Sequence, residues 1–217
     1  MDSNNLQLLL RQGKYTRRSK GQVLLSSNDS LVCLITKGHV KRYLISADGG
    51  LSVQSIYGPG SIFPLTLIVK TLFNQSFYDG RETYFYEAID VVHAHTITEK
   101  KLLEAVNSDP LLYRDLLFEA GLRLKSQVQQ LENVSIKSTY NRIAHQLVYF
   151  ADTYGEEIDG GIQINLPITH QDLADILNVA RETISKCTIK MRAEGLIKPG
   201  KFILITDPAK LKEAALS

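Results

Sequence analysis

The sequence predicts an α+β protein in which an antiparallel β-roll comes first, a long helix follows, and a small helical domain with a β-hairpin ends the chain. Three observations predict this order. Short runs rich in β-branched and aromatic residues fill about the first hundred residues. An apolar spacing of alternating four and three residues follows, and the last third alternates short helical and strand patterns. The 217 residues are 44% hydrophobic and 22% charged, which is typical of a soluble chain with room for two modest cores.

Composition excludes several classes of protein. The formal net charge is only +2, so charge alone does not indicate a nucleic-acid partner. No apolar stretch approaches the ~20 residues of a membrane helix, and the first residues lack the basic start and apolar centre of a signal peptide. We therefore expect a cytoplasmic protein without a membrane partner. Cys33 and Cys187 lie far apart in apolar patterns, which predicts two buried thiols, with a single disulfide as the alternative.

The predicted roll rests on strand-like runs separated by turn signals. The runs are QVLLSS, SLVCLITKG, VKRYLIS, LSVQSIYG and TYFYEAIDVVHAHTI. Turn residues separate them at Asn28-Asp29, Lys37-Gly38, Asp48-Gly49-Gly50 and Gly58-Pro59-Gly60. Short strands at such even spacing predict a small, cupin-like antiparallel roll, whose use would be to enclose a pocket.

The period of the pattern changes after Thr98. The residues at the alternating spacing of a coiled-coil seam are Leu117, Gly121, Leu124, Val128 and Leu131. They predict a helix through which two copies of the chain dimerise, and the alternative is a helix that lies on its own roll. A polar hinge is predicted at Lys137-Ser138-Thr139, before a second amphipathic helix from Tyr140 to Tyr154.

The last third of the chain predicts a winged helix-turn-helix. A loop, TYGEEIDGG, precedes the strand GIQINLP. Thr169 with Asp172 three residues later predicts a capping box and a short helix through Leu177. A second helix from about Ala180 to Glu194 ends at Gly195, where a left-handed residue is favoured. The run LIKPGKFILIT then predicts a β-hairpin, which completes the motif.

The second helix of this motif begins with the sequence ARETISK. Its inner face is predicted to carry Ile184, Cys187, Thr188 and Met191. Arg181, Glu182, Ser185 and Lys186 then point outward from the first two turns, where a recognition helix meets base edges. An arginine fork matches the guanine O6 and N7 acceptors, and a carboxylate accepts from cytosine N4.

The charges around this helix favour DNA as the partner. Between Arg181 and Lys201 there are six basic residues and two acidic residues, so the basic surface is concentrated where phosphates would lie. We therefore expect double-stranded DNA to be bound by Thr169, His170, Arg181, Glu182, Thr183, Ser185, Lys186, Lys190 and Lys201.

The segment ITHQDLADILNVARETISKCTIKMRAEGLI resembles the helix-turn-helix of the cyclic-AMP receptor protein/FNR (Crp/Fnr) family of bacterial transcription regulators. The runs ITKGHVKRYLISADG and YGPGSIF resemble the family's sensory roll, and STYNRIAHQL resembles its hinge. The resemblance implies a roll like a cyclic-nucleotide-binding domain over residues 1–108, a dimerisation helix and hinge over 109–137, and a DNA-binding domain over 138–217. It also implies a homodimer on a palindromic operator, RNA polymerase as a further partner, and base contacts by Arg181, Glu182 and Lys186. Lys186 stands where the family usually has Arg.

The resemblance is weakest where members of the family hold a cyclic nucleotide. Those members carry Gly-Glu and, further on, Arg-Ser, whereas this chain has no Glu between Ser61 and Leu65 and places Glu82-Thr83 at the second position. Glu82 would repel a phosphate, so we do not expect cyclic AMP to be the effector, and no cofactor is predicted. The residues expected to contact an effector, whose identity stays open, are Phe63, Leu65, Arg81, Tyr84 and Gln127.

Other site chemistries are not favoured by the sequence. His39, His93 and His95 are possible haem or metal ligands by type, but half-buried structural roles suit them better. The sequence contains no GxxxxGK[ST], HExxH or GxSxG motif, so we do not expect an enzyme. Two alternatives to an effector-controlled regulator stay open. One is a regulator that is active without an effector, and the other is a cyclic-nucleotide or metabolite sensor that acts by protein contact.

Overall fold

The computed structural model describes residues 5–45, 49–73, 83–198 and 200–216. The chain divides into two compact units, Met1–Leu124 and Lys125–Ser217. The first holds antiparallel sheets and the second a helix-turn-helix with its own small sheet, so the predicted α+β class is confirmed. In the part of the chain described, no helix has the length and apolar character needed to cross a membrane.

The strands of the first unit form two four-stranded sheets, in the orders β1-β8-β3-β6 and β2-β7-β4-β5. All their pairings are antiparallel. The strands are β1 Lys14–Arg18, β2 Val23–Ser26, β3 Leu31–Lys37, β4 Val40–Ile45, β5 Leu51–Tyr57, β6 Ile62–Phe63, β7 Tyr84–Ala88 and β8 Val92–Thr98.

Strand β3 is buried on both faces and therefore separates two apolar clusters. Successive side chains of a strand point to opposite faces. Cys33 and Ile35 join an inner cluster that includes residues of both sheets. Val32 and Leu34 join an outer cluster that the helices of this unit cover. The inner cluster is where the roll encloses its aromatic side chains.

The prediction that the first hundred residues form strands is wrong at two places. The helices of this unit are α1 Asn5–Arg11, α2 Leu65–Phe73, α3 Glu99–Ser108 and the beginning of α4, Leu111–Ser135. The runs that form α1 and α2 are short and apolar, and periodicity cannot distinguish a buried helix from a buried strand at such lengths. Packing decides the outcome, since Leu6, Leu10 and Ile68 are at most 2% exposed in the outer cluster.

The predicted turn at Lys37-Gly38 is confirmed, and an ion pair holds it. Gly38 has φ +82°, and a Cβ there would lie 2.4 Å from the Val91 carbonyl oxygen, so a glycine is required. The next residue, His39, donates from its backbone N–H to Asp90 Oδ1 at 2.7 Å, and its Nδ1 lies 2.9 Å from Asp90 Oδ2. Burial tends to raise the pKa of Asp90, but the hydrogen bonds and the charge of His39 outweigh burial and lower it.

Among the described residues, the second unit contains the end of α4, four further helices and a four-stranded antiparallel sheet in the order β11-β12-β10-β9. Its elements after α4 are α5 Thr139–Tyr154, β9 Gly155–Ile158, β10 Gly161–Ile164, α6 His170–Leu177, α7 Arg181–Ala193, β11 Ile197–Lys198, β12 Ile203–Ile205 and α8 Pro208–Leu216. The predicted loop TYGEEIDGG is wrong, because its residues 155–158 pair with β10. Strand β9 is exposed at every position, so hydrophobic alternation could not have indicated it.

The helix breaks where the polar hinge is predicted. Helix α4 ends at Ser135, and α5 begins at Thr139 with Ser138 as its N-cap, whose side chain accepts from the Asn141 N–H. Polar contacts then join the end of α4 to α5. Asn133 Nδ2 donates to Gln146 Oε1 at 3.1 Å, and both residues are buried.

The two cysteines are free thiols in different environments. Cys33 is buried inside the roll, and burial raises the pKa of its thiol. Cys187 is only partly buried, so the prediction of two buried thiols holds for Cys33 alone. Burial also raises the pKa of the Cys187 thiol, although Lys190 opposes that shift.

Candidate nucleic-acid interface

Helix α6 begins with the predicted capping box. The Thr169 hydroxyl accepts from the Asp172 N–H at 3.1 Å, and the Asp172 carboxylate accepts from the Thr169 N–H at 2.9 Å. The Thr169 hydroxyl also donates to that carboxylate at 2.7 Å. These bonds satisfy N–H groups that a helix start leaves without partners, and the Thr169 side chain stays exposed.

The turn between α6 and α7 is short and left-handed. Asn178 has φ 51° and ψ 54°, the conformation that ends a helix in one residue. Arg142 of α5 donates from Nη2 to the Leu177 carbonyl at 2.6 Å and so satisfies the end of α6. Three residues then anchor α7 in the domain core, since Ile184, Thr188 and Met191 are 0%, 5% and 0% exposed.

The outward face of α7 carries charged side chains without a partner among the described residues. Arg181, Glu182 and Lys186 are exposed in the first two turns. Within the described ranges, none of the three forms a hydrogen bond or ion pair. Most exposed charges on a protein are simply hydrated. The donors of Arg181 and Lys186 and the acceptor of Glu182 are of the chemical types that pair with base edges.

His170 connects α6 to the same face of α7. Its Nδ1 lies 3.0 Å from Ser185 Oγ, and its Nε2 lies 3.3 Å from Thr188 Oγ1. The sequence predicts His170 and Ser185 as separate DNA contacts and does not predict the hydrogen bond between them. A spacing of 15 residues across a turn carries no sequence signal for this bond. Thr183, the remaining predicted contact on α7, is partly buried.

Lys190 differs from Arg181 and Lys186 because its side chain already has partners within the protein. Its Nζ lies 3.8 Å from Glu194 Oε1 and 4.7 Å from the centre of the Tyr140 ring. The Tyr140 hydroxyl donates to Glu194 Oε2. Burial raises the pKa of Tyr140, and the hydrogen bond to Glu194 and its charge raise it further. The cluster joins the start of α5 to the end of α7, and the sequence did not indicate it.

The predicted β-hairpin forms the wing of the motif. Gly195 has φ +73° after the end of α7, as predicted, and its carbonyl accepts from Thr206 Oγ1 at 2.7 Å. Strands β11 and β12 pair antiparallel, with Lys198 opposite Leu204. Lys198 and Lys201 are both exposed, so the wing carries positive charge that solvent can reach.

The apolar series of α4 is open to solvent in the single chain. Leu117, Leu124, Val128 and Leu131 are 74%, 67%, 45% and 69% exposed, and no described atom beyond the neighbouring helix residues lies within 4 Å of a Cβ built on Gly121. The opposite side of the helix is covered, since Asp115 and Glu119 are buried and Asp115 accepts from the Leu6 N–H at 3.1 Å. Within the first unit, Leu117 and Leu124 are therefore not covered by the described residues of the roll.

The predicted effector contacts occupy different environments. Phe63 lies in the inner cluster, where its ring centre is 4.7 Å from Tyr86 and 4.6 Å from Tyr57. Leu65 packs against the outer cluster instead. Tyr84 lies under the Arg42 guanidinium at 4.8 Å. Gln127 belongs to the second unit, and the prediction for Arg81, with that for Glu82, falls outside the described residues.

Two histidines of the roll, His39 and His93, make ordinary structural contacts, whereas the buried Nδ1 of His95 has no hydrogen-bond partner among the described residues. His93 Nδ1 lies 2.8 Å from the Tyr15 hydroxyl, and His39 pairs with Asp90. Among the residues that the structure describes, no three or more His, Cys, Asp or Glu side chains group as metal ligands would.

Residues 141–214 match the family described as the Crp-like helix-turn-helix domain. The chain is 25% identical to the "CRP-like cAMP-activated global transcriptional regulator" of Mycobacterium tuberculosis, over 84% of this chain and 78% of the relative. It is 27% identical to the "Transcriptional regulator SdrP" of Thermus thermophilus, over 84% and 83% of the two chains. In fold it is similar to a CooA mutant from Carboxydothermus hydrogenoformans, with a TM-score of 0.76, 22% identity, and 99% and 97% of the two chains covered.

These similarities extend beyond the helix-turn-helix to nearly the whole chain, and the likeness in fold includes the roll. They confirm the resemblance that ARETISK and its surroundings indicated, together with a roll of the cyclic-nucleotide-binding type. The chain therefore carries a Crp-like helix-turn-helix domain at residues 141–214 and is similar over most of its length to transcription regulators of the Crp/Fnr type.

Proposed function

We propose that this protein acts in the cytoplasm as a homodimer, binds a palindromic operator through α7 and the wing, and regulates transcription with RNA polymerase as its protein partner. In this proposal residues 1–108 are the sensory domain, 109–137 the dimerisation helix and hinge, and 138–217 the DNA-binding domain. The observation that carries the proposal is the unpaired outward face of α7, formed by Arg181, Glu182 and Lys186.

Each side chain of this face has a role that its chemistry supports. Arg181 presents a planar fork to guanine, and Glu182 accepts from cytosine N4. Lys186 is a point charge on a flexible stem, which reaches either a guanine or a phosphate, whereas an arginine would favour bidentate guanine contact. The role we propose for Thr169, Lys190 and Lys201 is contact with phosphates, which position the protein without specifying sequence. Lys190 would have to loosen its pair with Glu194 to do so.

The exposed series on α4 supports the homodimer. A single chain with large apolar side chains in one row on a helix leaves surface that a second copy can cover. Gly121 lies within that row and lets two helix backbones approach closely. A homodimer would give the DNA-binding surface two-fold symmetry, and its operator would then have two half-sites about one helical turn apart.

An effector other than cyclic AMP is proposed for the roll. Ile62 and Phe63 are fully buried, and residues 61–65 offer no acidic side chain to a ribose. The rings of Tyr57, Phe63 and Tyr86 pack together inside the roll. This aromatic packing also favours the second candidate function, a regulator of the same type that is active without any effector, because packed rings provide a core without a ligand.

Mobility shift of genomic DNA fragments, with and without an extract of small metabolites, tests the proposal. If an effector controls the protein, the extract should either strengthen or weaken the shift of specific fragments relative to the shift without it. A regulator that needs no effector shifts the same fragments equally in both conditions. If no fragment is shifted specifically in either condition, the protein acts by protein contact and the proposal is wrong.

A further inference from the structure

His170, Ser185 and Thr188 form a chain of hydrogen bonds whose direction can be worked out. Thr188 Oγ1 lies 2.9 Å from the Ile184 carbonyl and 3.0 Å from the Ser185 carbonyl. A carbonyl oxygen can only accept, so the hydroxyl proton of Thr188 points to one of these two oxygens. The longer contact, 3.3 Å to His170 Nε2, must then use a lone pair of Oγ1. In a neutral His170 ring the proton then lies on Nε2, which donates to Thr188 Oγ1.

The direction of the second bond follows from the first. A neutral imidazole with its proton on Nε2 has a bare Nδ1, which can only accept. Ser185 Oγ lies 3.0 Å from that nitrogen and must donate its single proton to it. The oxygen of Ser185 then has only lone pairs left to offer. Thr188 is 5% exposed, so the end of the chain that sets the direction is shielded from water.

We propose that His170 fixes Ser185 as a hydrogen-bond acceptor on the DNA-facing side of α7, so that Ser185 selects a base that presents an exocyclic amine. This inference rests on the proposed function of α7. Ser185 is four residues after Arg181 and therefore adjacent to it on the helix surface. In the major groove the amine donors are adenine N6 and cytosine N4, whereas guanine O6 and thymine O4 are acceptors. His170 thus acts as a positioning residue for specificity.

The first test measures the direction of the bonds without DNA. Nitrogen-15 spectra of the full-length protein at pH 8 distinguish a protonated ring nitrogen from a bare one, with His170→Asn identifying the signal. The expected result is a proton on Nε2 of His170 and a bare Nδ1. A proton on Nδ1 overturns the proposal, whatever the protein does with DNA.

The second test measures preference at one base pair of the selected operator, namely the pair at which Ser185→Ala relaxes selection. The wild type should prefer an amine there by about three- to ten-fold, the range for one net hydrogen bond. His170→Ala should lose this preference to the same extent as Ser185→Ala, and the double variant should lose no more. His170→Asn should retain it, because its amide oxygen can accept in place of Nδ1. Thermal melting of each variant checks that it is folded.

Other outcomes contradict the inference in distinguishable ways. If His170→Ala weakens binding to all duplexes alike and leaves the preference intact, His170 only contacts phosphate and the inference is wrong. Because each base pair presents one amine and one carbonyl in the major groove, the amine alone is then removed by purine in place of adenine or 2-pyrimidinone in place of cytosine, and a wild-type preference that survives this removal also overturns the inference. If the wild type selects no sequence at all, the proposed function fails instead, and the nitrogen spectra still decide the direction of the bonds.

Discussion

Replacing Leu124 by Glu should convert the proposed homodimer into a monomer. Leu124 is 67% exposed in the single chain and lies at the middle of the apolar series on α4. In a dimer with two-fold symmetry the change occurs twice at the same seam. The substitution removes two apolar side chains from the interface. It also places two carboxylates close together where dimer formation excludes water.

The loss of dimer stability can be worked out from the exposed fraction of the Leu124 side chain. Complete burial of a leucine side chain contributes about 1.5–3 kcal/mol, so burial of the exposed two-thirds contributes about 1–2 kcal/mol per subunit and about 2–4 kcal/mol per dimer. Desolvating two carboxylates adds several kcal/mol unless they take up protons. A total of at least about 5 kcal/mol would raise the dimer dissociation constant by more than about a thousand-fold, since 1.4 kcal/mol is a factor of ten.

Light scattering coupled to size exclusion, across a range of protein concentrations, measures the result. The wild type should have the mass of two chains and Leu124→Glu the mass of one. Leu122→Glu is the matched control, because Leu122 is 50% exposed on the same helix but lies outside the four-three series. A dimer that survives Leu124→Glu, or one that Leu122→Glu breaks equally well, would refute the assignment of the seam.

Three further predictions follow from the roll and the wing. Cyclic AMP should give no saturable heat in calorimetry at micromolar ligand. Residues 61–65 carry no acidic side chain for the ribose, and Phe63 is buried among aromatic rings. A clear saturable heat would show that the roll binds cyclic AMP without an acidic side chain at these positions. Lys201→Ala should weaken binding to all DNA sequences alike and reduce, by about 1, the slope of the logarithm of the binding constant against the logarithm of the salt concentration. Lys100→Ala on α3 is the control and should leave this slope unchanged. Asp90→Asn should lower the free energy of unfolding at neutral pH by about 1–2 kcal/mol. Folding lowers the pKa of Asp90. The stability that Asp90 contributes is therefore present above its unfolded pKa and is lost as the pH falls through its folded pKa. The difference in unfolding free energy between Asp90→Asn and the wild type, measured with urea, should shrink over that pH range.

The helix-turn-helix could be predicted closely because its signals are local. The capping box of Thr169 and Asp172, the left-handed residue after α6 and Gly195 after α7 each determine the backbone through neighbours a few residues away. The amphipathic pattern of α7 then specified which side faces the core. Its inner residues Ile184 and Met191 are fully buried as predicted.

The features that escaped prediction depend on contacts between distant residues. Helix α2 is a short apolar run whose conformation is determined by the outer cluster, and β9 is an exposed edge strand recognisable only by its pairing with β10. The bond between His170 and Ser185 requires the turn between two helices to be in place. Residue type alone could indicate His170 and Ser185 as candidate contacts, but their hydrogen bond can be identified only from the folded structure.

Base reading by α7 is tested by selection from randomised DNA duplexes with the wild type and with Arg181→Ala. The wild type should enrich a motif with two-fold symmetry whose half-sites are about one helical turn apart. Arg181→Ala should lose about 1–3 kcal/mol on that site and accept other bases at one pair in each half-site. If the wild type enriches no motif, or if the two proteins enrich identical motifs, the outward face of α7 is only a hydrated surface and does not read bases.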